Sequence, residues 1–221
     1  MTPYVISAFT AASILPAVVL LWWHFKRQPS TLRWLAVLLL FSFVCDVAAF
    51  VLYHLRLNQN SAGAFYWLFS TFIITGFFSR LVPLSFRRSF GMLNVIYVLF
   101  ALTNIFLIQG ERIQSYTQSI QAVIIITLCV GYFYVLMKEL PTQQIHRLPT
   151  FWITSAFFFS YAGKLVIYAV VNYLTQYLKD NLVIIMNLHN LLTIIANIVF
   201  AYAAWLNHKQ LKSTLSSRLA S

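Results

Sequence analysis

The chain is predicted to be all-α: a polytopic membrane protein with seven transmembrane helices in one bundle, N-terminus outside and C-terminus cytoplasmic. Three observations predict this. Apolar side chains make up 61% of the sequence and charged ones only 9%, where a soluble domain carries about 25% charged residues. The apolar residues gather into seven long runs. The basic residues fall between those runs, crowded on alternate connections. With a mean hydropathy of +0.79, the solvent for most of the chain is expected to be lipid.

The first run, at about 5–25, lies within MTPYVISAFTAASILPAVVLLWWHFKR, with no basic residue before it and Lys26 and Arg27 after it. That order is the reverse of a signal peptide's, so the segment reads as a retained helix. Pro16 falls inside it and should weaken or kink it. The remaining runs fall at about 33–55, 62–84, 91–108, 116–138, 150–174 and 182–206. Most reach the ~20 residues that cross a hydrocarbon core of ~30 Å. They are continuous rather than alternating, which favours helices over barrel strands of ~10 residues. Pro83, Pro141 and Pro149 sit at run ends, where they stop or start helices. Residues 209–221 read as a short basic cytoplasmic tail.

The formal charge is +11. Its distribution argues for topology and against nucleic acid, because there is no basic domain or arm. Lys26, Arg27, Arg33, Arg87 and Arg88 fall after runs one and three; Lys138, Arg147, Lys209, Lys212 and Arg218 follow run five or lie in the tail. The opposite face has Arg56, Arg112 and Lys179. Basic residues collect on cytoplasmic loops, which sets the orientation. Trp22, Trp23, Trp34, Trp152 and Trp205 mark the inner boundary; Trp67, Tyr173 and Tyr177 mark the outer one, as interfacial aromatics do.

Cys45 and Cys129 lie inside apolar runs without a CxxC or a Cys/His spacing, so they read as small hydrophobes. No metal and no cofactor is expected. There is no GxSxG, no HExxH, no second intramembrane carboxylate and no close histidine pair, and the chain is read as a non-enzyme.

The informative residues are ionisable groups within apolar runs: Asp46 in run two, Lys164 in run six and His189 in run seven. Unpaired charges at a helix centre cost on the order of 2.5–3.5 kcal/mol. At 1.5 Å of rise per residue, Asp46 and Lys164 lie roughly 20 Å above the inner surface, and His189 roughly 10 Å below the outer one. All three then occupy the outer half. Ser42, Asp46 and Tyr53 share a helical face, as do Lys164, Tyr168 and Asn172, and His189, Thr193 and Asn197. Ser70, Asn104 and Gln121 reach comparable depth. One reading is a polar chamber opening outward; another is a buried Asp46–Lys164 ion pair with the amides as interhelical glue; a third is a snorkelling lysine. The first two predict that Asp46 and Lys164 touch.

A seven-helix bundle with a buried lysine resembles the retinal proteins, but in microbial rhodopsins the lysine is on the seventh helix, whereas here that run offers His189. The layout is also similar to the small sugar transporters built from two three-helix repeats, although Pro16 alone matches their helix-core prolines. Segments FWITSAFFFSYAGKLVIYAVVNYL and LHNLLTIIANIVFAYAAWLNHK resemble the last two helices of bacterial seven-helix proteins similar to the membrane sensor modules of histidine kinases. That resemblance implies a detached sensory or accessory subunit of the bacterial inner membrane. The expected partners are membrane lipids, a small ligand or lipid in the outer-half pocket, and a protein on the cytoplasmic side. The expected alternative is a small-solute transporter.

Overall fold

The computed structural model describes residues 3–23, 25–55, 60–82, 87–108, 114–139, 144–177 and 182–219. Within them the chain forms seven α-helices: α1 (Pro3–Trp23), α2 (Ser30–His54), α3 (Asn60–Phe78), α4 (Arg87–Thr103), α5 (Ser115–Glu139), α6 (Pro149–Tyr177) and α7 (Leu182–Leu219). Each coincides with one apolar run, because a chain poor in water-facing groups satisfies its backbone donors and acceptors most completely within a helix. Among the described residues five segments are long and apolar enough to cross a membrane: Ser30–Leu52, Ser89–Ile108, Ser115–Glu139, Pro149–Ala169 and Val183–Ser213. Ala8–Trp23 and Phe65–Phe78 are shorter apolar stretches. The bundle surface carries large exposed apolar side chains such as Phe9, Val19, Phe69, Met137 and Phe159. Trp22, Trp23 and Trp205 are exposed as well.

Two elements differ from expectation. The segment from Lys209, read as a tail, continues α7 as helix to Leu219, giving one element of 38 residues. No glycine or proline interrupts it, and adding a residue to an existing helix is far easier than nucleating one. Asn207 also donates to Gln28, and Gln210 Nε2 donates to the Arg147 carbonyl at 2.7 Å, so the extension is tied to two neighbouring connections. In α4 the last turn widens into a π-helical turn over Asn104–Ile108. Pro16 leaves α1 continuous.

Six helices close a ring in the order α1, α2, α3, α5, α6, α7, and back to α1. Helix α4 packs outside it, against α3 and α5. Asn94 Nδ2 to Thr75 Oγ1 at 2.9 Å secures its middle. Asn104 Nδ2 secures its end, donating to Gln114 Oε1 at 2.7 Å and Thr117 Oγ1 at 2.8 Å. Apolar grooves of about 560 and 550 Å³ run along the α4–α5 seam. Elsewhere helices approach closely at two glycines. A Cβ at Gly76 would stand 3.0 Å from the Trp34 ring, and one at Gly163 would stand 2.7 Å from Leu192 Cδ1. Small residues at such crossings let backbones meet.

Inside the ring, the half nearer the basic connections is filled. Phe77, Phe78, Phe157 and Phe200 contact one another with ring centroids 5.0 to 6.1 Å apart. Tilted and edge-on aromatic pairs of this kind add to their burial. Leu21, Leu35, Ile153 and Ala203 complete this plug, all buried.

Candidate functional site

Above the aromatic plug the ring encloses a cavity of about 100 Å³. Helix α1 supplies Thr10 and Ile14, α2 supplies Leu38, Leu39, Ser42 and Asp46, and α3 supplies Tyr66 and Ile74. On the other side are Ser160, Tyr161 and Lys164 from α6 and Thr193, Ala196 and Asn197 from α7. Phe157 and Phe200, members of the plug, form its base. Gly163 sets the width on one side by letting α6 lie against Leu192 of α7, which carries the next residue, Lys164, into the ring.

Lys164 is 8% exposed. Its Nζ lies 5.4 Å from the centroid of the Tyr161 ring, within the range of a cation–π contact. Among the described residues it has no hydrogen-bond acceptor, and no carboxylate lies within 4.0 Å. Asp46 lines the same cavity, yet the two do not touch. The expected contact is absent: Asp46 reaches the cavity from an exposed position on α2, whereas Lys164 is buried on α6. Of the residues on this part of α2, Ser42 and Asp46 line the cavity and half-buried Cys45, Ala49 and Leu52 do not. The carboxylate therefore stands at the rim and the ammonium in the wall.

The other predicted residues divide into groups. Tyr168 is buried; its hydroxyl lies 3.3 Å from Nδ1 of half-buried His189, joining α6 to α7 above Lys164. Trp67 of α3 meets Tyr168 edge-on at 6.0 Å. Asn197 is buried at the cavity wall and donates from Nδ2 to Ser13 Oγ of α1 at 2.9 Å. Thr193 Oγ1 donates to the His189 carbonyl at 3.0 Å. Ser70, Gln121 and Asn104 lie outside the cavity. Gln121 Nε2 donates to Ser70 Oγ at 3.0 Å and Thr71 Oγ1 at 2.8 Å, cross-linking α5 to α3. Asn104 links α4 to α5 as described. The side chains of Tyr53, Asn172, Tyr173 and Tyr177, and residues Arg56, Arg112 and Lys179, lie outside the described residues.

Sequence reasoning missed Thr10, Ser13, Tyr66 and Ser160. Hydroxyls in helices usually bond their own preceding turn and so give no signal; Thr10 does this, donating to the Ile6 carbonyl at 2.9 Å. Tyr66 pairs with Ser42 at 3.3 Å between hydroxyl oxygens and resembles any interfacial aromatic when read alone.

The volume limits what enters. Drug-sized ligands need roughly 300–1,000 Å³. A cavity of about 150 Å³ just holds benzene, so about 100 Å³ holds roughly four or five non-hydrogen atoms, or about three waters. An acyl chain does not fit. Among the described residues no group of three His, Cys, Asp or Glu is placed to hold a metal ion. Cys45 and Cys129 are free. Comparison of the chain with protein-family models, curated proteins and solved structures gives no match in any of the three.

Proposed function

We propose that the chain is an integral membrane protein, with its N-terminus outside and its basic connections in the cytoplasm, that binds a small polar ligand in the central cavity and signals to a cytoplasmic partner. The observation that carries this reading is Lys164, a buried residue whose ammonium has no acceptor among the described residues and faces a polar void. A buried polar group is ordinarily satisfied, so a partner from outside the chain is the simplest completion. Signalling is favoured because α7 lines the cavity with Thr193 and Asn197 and then runs as one helix past the basic end. Ligand contacts that differ between two packings of α7 would bias them. A bacterial inner membrane is the setting that the alternation of basic connections suits.

Transport is the second reading, and one observation favours it. The cavity lies inside the ring, plugged by Phe77, Phe78, Phe157 and Phe200 on the basic side, with exposed Asp46 at its other rim.

The test is a panel of small charged and polar solutes screened for thermal stabilisation of the purified protein in nanodiscs, followed by uptake into proteoliposomes. Stabilisation without uptake favours sensing, and uptake lost in Asp46→Asn favours transport. Neither effect across the panel would sink both.

A further inference from the structure

From two unjoined charges that border one cavity, Lys164 in its wall and Asp46 at its rim, we infer that the ligand is a small zwitterion of glycine size, its carboxylate on Lys164 and its ammonium toward Asp46. The inference rests on the reading of the cavity as a ligand site and adds the class of ligand. Lys164 and Asp46 share one void but are not in contact, so each keeps its full capacity for charge-assisted hydrogen bonds. Neither forms a hydrogen bond to another described residue.

A simple anion attracted by Lys164 would be opposed by Asp46, and a simple cation the reverse. With both groups ionised the walls carry no net charge, and a molecule bearing both signs satisfies each without leaving one stranded. Size selects further: the cavity encloses roughly four or five non-hydrogen atoms, the size of glycine, and a larger amino acid would have to leave its side chain outside the rim. The base of the cavity is apolar, made by Ile74, Phe157 and Phe200, and offers no third charge for an acidic or basic side chain.

Equilibrium dialysis with radiolabelled glycine, acetate and methylammonium, on wild-type protein in nanodiscs, tests this without any variant. Glycine is expected to bind one saturable site roughly tenfold or more tightly than either half-ligand, the worth of a charge-assisted hydrogen bond. Lys164→Met should remove the preference of glycine over methylammonium, and Asp46→Asn its preference over acetate, with circular dichroism checking that both variants fold. Acetate binding as tightly as glycine, unaffected by Asp46→Asn, would overturn the zwitterion and leave an anion site in the same cavity. If none of the three binds folded wild type, the void holds water and the ligand-site reading falls with the inference.

Discussion

Asn197 of α7 and Ser13 of α1 meet at 2.9 Å, nitrogen to hydroxyl oxygen, across 184 residues of sequence. The bond closes the ring between its first and last helices at the cavity wall. Interhelical hydrogen bonds in membrane bundles average about 0.6 kcal/mol in double-mutant cycles and reach about 1.7. Asn197→Leu combined with Ser13→Ala is therefore expected to show a coupling of roughly 0.5–1.5 kcal/mol, measured by denaturation in bicelles. Additive single effects would mean that the two side chains act independently.

Lys164→Met should leave the unliganded protein as stable as wild type, or more stable by up to ~2 kcal/mol, because it removes a buried ammonium that no carboxylate touches. A buried ion pair predicts the opposite, a loss of roughly 3–5 kcal/mol from stranding the carboxylate. Thermal denaturation in detergent separates these outcomes, and a large loss would place Asp46 in contact with Lys164.

Gln121 bonds two hydroxyls of α3 and, at 3.3 Å, the Trp67 carbonyl. Ser70 and Thr71 keep their own bonds to the Trp67 carbonyl, so Gln121→Leu removes the link from α5 without stranding them and is expected to cost about 0.5–1.5 kcal/mol. Ligand affinity should change little, since Gln121 does not line the cavity. A variant that loses binding while keeping its stability would contradict the separation of the two polar groups.

The two tight glycines should respond differently to alanine. At Gly163 the new methyl meets the free end of Leu192, which can turn aside, and the gain in helix propensity of ~1 kcal/mol offsets the adjustment. At Gly76 it meets the rigid edge of Trp34 along three ring atoms, and overpacking of that kind costs about 1–3 kcal/mol. Gly76→Ala is expected to melt below Gly163→Ala; the reverse order would show that Trp34 moves more freely than Leu192.

Run length and continuity made the seven helices readable to within a few residues at most ends, because a helix in apolar surroundings closes its own hydrogen bonds. Depth was readable too, since Lys164 and Asp46 do border one cavity. Azimuth was not. Ser70, Gln121 and Asn104 have suitable depth but face the α3–α5 and α4–α5 seams, and a linear sequence does not say that α4 stands outside the ring. Ser42 and Asp46, about a full turn apart, do both line the cavity, but their spacing could not show that Asp46 stops short of Lys164. The extension of α7 was hidden for another reason. Its polar residues end the apolar run without ending the helix.

The 38-residue length of α7 has a mechanical consequence. At 1.5 Å per residue it measures about 57 Å, against a hydrocarbon core of ~30 Å. Leu192, seated against Gly163, is a natural fulcrum: Asn197 lies about 7 Å along the axis from it and Leu219 about 40 Å. A rigid tilt about that point that displaced Asn197 by about 1 Å would carry Leu219 through roughly 5 Å, and the bonds of Asn207 to Gln28 and of Gln210 to the Arg147 carbonyl would have to open for it.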